Sequence, residues 1–252
     1  MQAEERQFLI EQHLQKVEFA SLEELSEKVD VSVSTVRRDL TLLETKGTIR
    51  RTHGGARLVT PKSDEFAFTA RDTHQLSEKD AIGQAAAELV QPNQGVIVDA
   101  GTTAYHVAKH LGGKASHIIT NSLPVANHFG SDNSVEVLVT GGVIYPRLGV
   151  LVGPLAVESL SKMHADVAIM SGGGITMDSI TNSHALLIDI QRAMLQSAQR
   201  IIFCLDHTKF NRRSVSPLCE LDAIDTIVTD AQAPADLVGQ LKQTNTQVVI
   251  AS

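Results

Sequence analysis

An α/β chain in two unequal parts is predicted, on two observations. Through the last three quarters of the sequence, short apolar runs alternate with helical stretches, the pattern of a mostly parallel sheet with helices on both faces. Ahead of them, three closely spaced helical patterns and an arginine-rich hairpin occupy the first sixty residues. A length of 252 residues with 42% hydrophobic content suffices for a substantial core. The expected division is a small domain over residues 1–60, a linker over 61–76, and a large domain over 77–252. The linker contains Pro61 and mixed charges and lacks clean periodicity.

No apolar run approaches the roughly 20 residues of a membrane helix, and Met1–Arg6 lacks the basic-then-apolar start of a signal peptide. Of the two cysteines, Cys204 lies inside the apolar run Ile201–Leu205 and reads as a buried thiol. A soluble, cytoplasmic protein is expected. The net charge of −7 is unevenly spread. Residues 1–30 hold three basic and eight acidic side chains, whereas residues 31–62 hold seven basic and two acidic. A basic stripe on an acidic protein suits phosphate contact, because counterion release is local.

The N-terminal elements follow in order. Ile10, Leu14 and Val17 share one helix face. Ser21 reads as an N-cap with Glu24 three residues on, a capping box, and Leu22, Leu25 and Val29 form the apolar stripe of a second helix. Ser32 caps a third, whose core face is Val36, Leu40 and Leu43. Ser34, Arg38 and Thr41 fall opposite, flanked by Thr35 and Arg37. Such a face fits a DNA major groove, where Arg grips phosphate or guanine and Ser or Thr bonds either. A solvated helix of a plain bundle has the same periodicity, so the next residues decide. Gly47 ends the helix; Thr48–Thr52, a His53-Gly54-Gly55 turn and Ala56–Val59 make a hairpin carrying Arg50, Arg51 and Arg57. That is a wing, completing a winged helix-turn-helix.

Beyond Ser77, a helix runs through Ile82, Ala86, Leu89 and Val90. Strands are expected at Val96–Val98, His117–Ile119, Val135–Val139, Val167–Met170, Ile201–Leu205, Thr226–Val228 and Val248–Ile250, with helices at Ala104–His110 and Ala185–Ser197. Ligands of such sheets lie beyond the carboxyl ends of the strands. Those ends read Asp99-Ala100-Gly101-Thr102-Thr103, Thr120-Asn121-Ser122, Thr140-Gly141-Gly142 with Arg147 nearby, Ser171-Gly172-Gly173-Gly174, and Asp206-His207-Thr208-Lys209. A Gly-Thr-Thr turn opening a helix is a phosphate cradle, although Gly and Thr are also ordinary turn and cap residues. Together the five ends converge on a small, polar, anionic ligand.

Thr35-Val36-Arg37-Arg38-Asp39-Leu40 followed by Arg51-Thr52-His53-Gly54-Gly55-Ala56 resembles the signature of the DeoR family of bacterial transcription regulators. The resemblance implies DNA contacts from Ser34, Thr35, Arg37 and Arg38, and wing contacts from Arg50, Arg51 and His53; Asp39 would orient an arginine. The remaining chain is similar to the family's C-terminal sensor domain, related in fold to ribose-5-phosphate isomerase and glucosamine-6-phosphate deaminase. That likeness implies sugar-phosphate binding by Asp99, Gly101, Thr102, Thr103, Thr120, Asn121, Gly141, Gly142 and Lys209, to which the strand ends add Ser122, Arg147 and Asp206. The chain departs from the family at Leu187, where an acidic residue is common, at Gln191, where Lys is common, and at Asn211, where Gly is usual. These departures bear on the ligand and not on the fold.

The expected partners are therefore a double-stranded operator, a sugar-phosphate effector and further copies of the chain as a dimer or tetramer, with no membrane, cofactor or metal. Repression relieved by ligand is the family expectation. The alternative is an isomerase- or deaminase-like enzyme using Asp99, Asp206 or Lys209 as a titrating group. No His-Glu-x-x-His, Walker loop or Gly-x-Ser-x-Gly elbow occurs. His184 and His207 read as structural or ligand-orienting. The wing would be of little use to an enzyme.

Overall fold

A computed structural model describes residues 3–14, 17, 19–45, 48–52, 54–58 and 67–251. The chain divides into two compact units, residues 1–63 and 64–252. His53, Gly47 and residues 61–66 of the expected linker lie outside the described residues.

The smaller unit contains α1 (Ala3–Leu14), β1 (Ala20–Ser21), α2 (Leu22–Lys28), α3 (Val33–Thr45), β2 (Ile49–Thr52) and β3 (Gly55–Leu58). Its core gathers Ile10, Leu14, Leu25, Val29, Val36, Leu40 and Leu43 with Ile49 and Ala56 of the hairpin, so each predicted stripe faces inward. Ser21 caps α2, its hydroxyl accepting from the Glu24 N–H at 3.1 Å. The reciprocal half of the capping box is not formed, because the Glu24 carboxylate meets His13 at 2.8 Å instead. Strands β2 and β3 pair antiparallel, and β1 adds to β3. Gly55 belongs there for lack of room, since a Cβ would stand 2.2 Å from the Ala20 carbonyl.

The larger unit runs α4 (Phe68–Thr73), α5 (Leu76–Glu88), β4 (Gly95–Val98), α6 (Thr102–Lys109), β5 (His117–Thr120), α7 (Leu123–Phe129) and β6 (Glu136–Val139). It continues through β7 (Val143–Tyr145), β8 (Val150–Val152), α8 (Pro154–Ser161), β9 (Ala165–Met170), β10 (Gly174–Ile175), β11 (Ser179–Asn182) and α9 (Ala185–Gln196). It ends with β12 (Ala198–Cys204), β13 (Ser216–Glu220), β14 (Thr226–Asp230), α10 (Ala235–Leu241) and β15 (Gln247–Ala251). All seven strands expected from the apolar runs join one sheet, in the order β15-β14-β12-β9-β4-β5-β6. Every pairing in it is parallel.

Alternation along the strands assigns the two faces. Ile97, Ile119, Ala168, Met170, Phe203 and Ile227 meet α8, α9 and α10 through Ala156, Leu160, Ile188, Met194 and Leu241. Val96, Val98, Ile118, Val167, Ile169, Ile202 and Val228 meet α5, α6 and α7 through Ile82, Ala86, Val107, Val125 and Phe129. Cys204 is buried on this second face, where burial pushes its thiol pKa up.

The linker expectation needs correcting from Phe68 onward. That segment is helical, and α4 packs within the larger unit. The Phe68 ring meets Tyr105 edge-on at 5.4 Å, and the Asp72 carboxylate meets His106 at 3.1 Å. A six-residue helix with no buried side chain of its own shows no apolar period to read. The helix expected from Ala104 begins instead at Thr102, with Gly101 as its N-cap.

Candidate nucleic-acid interface and effector site

In the smaller unit, α3 buries Val36, Leu40 and Leu43 and exposes Ser34, Arg37, Arg38 and Thr41, with Thr35 half-buried. Its start is a hydroxyl cluster in which the Ser32 Oγ lies 2.9 Å from the Ser34 Oγ and 3.0 Å from the Thr35 Oγ1. Asp39 is the buried exception on this helix. Its carboxylate takes the Arg6 Nε at 2.5 Å and the Arg6 Nη2 at 3.1 Å, binding α1 to α3. The arginine that Asp39 orients is therefore Arg6, from outside the motif.

The wing is tied to the same helix. The Arg51 guanidinium donates to the Thr41 Oγ1 at 2.7 Å, and its backbone N–H donates to Glu44 at 3.0 Å. The Thr41 hydroxyl itself donates to the Arg37 carbonyl at 2.8 Å. Thr41 and Arg51 thus satisfy one another, whereas Arg37, Arg38, Arg50 and Arg57 are exposed and form no ion pair among the described residues. A depression between helix and wing is lined by Leu22, Arg37, Arg51, Thr52, Gly54 and Gly55. Unpaired guanidinium groups on a convex helix, beside a hairpin, make a surface for an anionic double helix.

In the larger unit, strand order locates the ligand crevice. The chain leaves β4 for β5 on one side, whereas β9 is followed within the sheet by β12 on the other. The switch point therefore lies between β4 and β9. Asp99, at the end of β4, is fully buried. It accepts from the Ser171 hydroxyl at 2.5 Å, the Ser171 N–H at 3.1 Å and the Gln191 Nε2 at 3.1 Å. Burial raises its pKa, and the donors from Ser171, Ala100 and Gln191 oppose that rise. Gln191 in turn accepts from Asn182 at 2.8 Å. The position that departs from the family is thus a member of the network at the crevice floor. Gly101 is required beside it, because a Cβ would fall 1.7 Å from the Ser171 Oγ.

Thr102 and Thr103 form the first turn of α6, both buried, with hydroxyls that have no hydrogen bond among the described residues. Thr120 is spent within the chain, donating to the Val98 carbonyl at 2.7 Å and accepting from the Ser122 N–H at 3.0 Å. Ser122 caps α7. The Asn121 Nδ2 donates to the Leu151 carbonyl at 3.0 Å, leaving its buried Oδ1 without a partner. Gly141 and Gly142 have φ of +69° and +116°, and a Cβ on Gly142 would stand 2.7 Å from the Val152 carbonyl, so Gly142 serves the turn. Arg147 is exposed, its carbonyl accepting from the Phe68 N–H at 3.1 Å. Asp206 accepts from the Thr208 N–H at 3.0 Å and from the Thr208 hydroxyl, and Lys209 follows half-buried.

The two histidines differ. His207 is clamped by Asp230 through its ring at 3.0 Å and its N–H at 2.7 Å, whereas the ring of His184 stacks edge-on against Tyr145 at 5.0 Å. The sequence reading set Ser171 at a strand end and Gln191 among the departures from the family, without joining either to Asp99.

Residues 6–62 match the DeoR-like helix-turn-helix domain, and residues 74–231 match the DeoR C terminal sensor domain. The transcriptional regulator GolR of Listeria innocua is 33% identical over 230 residues, covering 90% of this chain and 91% of that protein. The transcriptional repressor GlcR of Bacillus subtilis is 34% identical over 241 residues, covering 94% and 93%. The L-fucose operon activator of Haemophilus influenzae is 31% identical over 234 residues, covering 92% and 93%. Among solved structures, ribose 5-phosphate isomerase A from Neisseria gonorrhoeae overlaps 54% of this chain and 53% of its own at 14% identity, with a TM-score of 0.37. Both halves of the chain carry the family's domains in the family's order, and the chain belongs to the DeoR family of helix-turn-helix transcriptional regulators.

Proposed function

We propose that this regulator represses genes of carbohydrate use by laying the exposed face of α3 in the major groove of an operator, and that a phosphorylated sugar releases it. The observation that carries this reading is the pair Arg37 and Arg38, exposed and unpaired on a helix whose opposite side is locked into the core. The repressors among the relatives favour this direction over activation. The phosphate is assigned to the first turn of α6, where the unpartnered Thr102 and Thr103 hydroxyls join the free N–H groups of the helix start, with Lys209 across the crevice.

One winged helix contacts too little DNA for specific binding, so a dimer or tetramer pairs two of them on neighbouring half-sites in the cytoplasm. The ligand acts by unequal affinity for two arrangements of that assembly. It is sensed and not turned over, because Asp99, the acid nearest the crevice, is buried and held at its Oδ2 by three donors from its own chain.

Selection from a random duplex library should yield a two-fold repeated site that one member of a sugar-phosphate panel releases. Arg38→Ala should weaken that site about tenfold or more while leaving thermal stabilisation by the sugar phosphate intact. Thr102→Val should do the reverse. Failure to enrich any site, or turnover of the sugar phosphate at a steady rate, would defeat the proposal.

A further inference from the structure

Helix α4 has no buried side chain of its own, so it stays in place through polar and ring contacts. The Phe68 ring meets Tyr105 edge-on, and the Phe68 N–H donates to the Arg147 carbonyl. Lys79 of α5, only 4% exposed, donates its ammonium to the Arg71 carbonyl. The last turn of α4 is held by His106 of α6, which is 1% exposed. The His106 Nε2 lies 3.1 Å from the Asp72 carboxylate and 3.4 Å from the Lys109 Nζ. Helices α5 and α6 are pressed together at this residue, where a Cβ on Gly83 would stand 2.7 Å from the His106 carbonyl oxygen.

The other ring nitrogen is unserved. Buried Nδ1 makes no hydrogen bond among the described residues. The acid it faces, Asp80 of α5, stands 3.6 Å away, and the facing oxygen is already bound to the His110 Nε2 at 3.0 Å. A neutral imidazole donates from one nitrogen only, so it fits here by giving its proton to Asp72. An imidazolium donates from both nitrogens, and one of those protons would be buried without an acceptor, beside the Lys109 ammonium. The charged and titrating groups about the ring are Asp72 of α4, Asp80 of α5, and Lys109, His110 and Tyr105 of α6. Burial first and Lys109 second hold the His106 pKa below the usual 6.5, against the opposing pull of Asp72 and Asp80. A ring that titrates lower when docked than when solvated gives docking its full advantage above pH 6.5 and withdraws it as pH falls further.

We propose that His106 is an acid-sensitive latch, which docks α4 on α5 and α6 while neutral and lets it go when protonated. Because α4 is the first described element after the segment that leads from the smaller unit, the latch sets how much free chain joins the two units. A longer tether lowers the effective concentration of one unit near the target of the other. The latch stands apart from the crevice and does not depend on what the crevice binds.

The test is amide hydrogen exchange on the full chain, read over Phe68–Thr73 as protection relative to intrinsic exchange rates. From pH 7.5 to pH 5.5, wild-type protection there should fall about threefold or more. His106→Gln keeps a donor for Asp72 but cannot titrate, and its protection over α4 should change by less than about 1.5-fold across the same range. Equal wild-type protection at the two pH values, or a fall that persists in His106→Gln, overturns the latch. Should the variant not fold, an NMR titration of the wild-type His106 ring decides: a pKa below 6.5 supports the latch, and one at or above 6.5 overturns it.

Discussion

At the scale of single residues, the floor of the crevice is built around one buried carboxylate oxygen that several donors share. Ser171 and Gln191 both bind the Oδ2 of Asp99, so this one oxygen ties the ends of β4 and β9 to the middle of α9. Gly101→Ala tests this tightness. The new methyl would overlap the Ser171 hydroxyl, and separating Ser171 from Asp99 leaves a buried carboxylate short of a donor. The expected loss is about 1–3 kcal/mol of stability, read by urea denaturation, together with a weakened effector response. Unchanged stability would mean that Ser171 turns away without cost. The place of Asp99 was legible, because an acid between an apolar run and Gly-Thr-Thr stands at a strand end. Its partners were not, since Ser171 is 72 residues away and comes close only through the pairing of β4 with β9. Lys79 was hidden for a related reason: Ser77-Glu78-Lys79-Asp80 reads as a solvated first turn, and only α4 and the end of β12 bury it.

At the scale of elements, α3 is held from behind as well as below. Apolar residues fix its depth in the core, and the Arg6–Asp39 pair fixes its rotation against α1. Asp39→Ala should therefore reduce operator affinity about tenfold although Asp39 faces away from the duplex, and it should leave the salt dependence of binding unchanged because no phosphate contact is lost. A reduced salt slope in mobility-shift titrations would place Asp39, or Arg6, at the DNA instead. The seven central strands were readable because each is a β-branched run bounded by turn residues. The short pairs β7–β8 and β10–β11 were not, having only two to four residues per strand. α4 was missed because it has neither an apolar stripe nor a side-chain cap.

At the scale of the whole molecule, each unit owns a core: among the described residues one cluster of ten buried side chains serves the smaller, and the larger has cores on both faces of its sheet. Scanning calorimetry should accordingly show two transitions, with phosphate raising only that of the larger unit. Phe203→Ala, which empties the centre of the sheet, should lower that same transition by about 3–5 kcal/mol and leave the smaller unit's melting unchanged. A single transition shifted by both treatments would show the units melting together. The division was legible as a change of period, from helical repeats to alternating strands, and as a change in the sign of the charge.

The Gly101–Ser171 approach bears on how specificity can diverge in this protein. Where a glycine meets a serine side chain with no width left for a methyl group, drift has nothing to work on: substitutions there disturb the fold before they alter taste. Variation in what is sensed is left to the rim, where side chains such as Leu187 can change without disturbing the clasp beneath. A selection for altered inducers should return its winners from those rim positions and almost none from the floor.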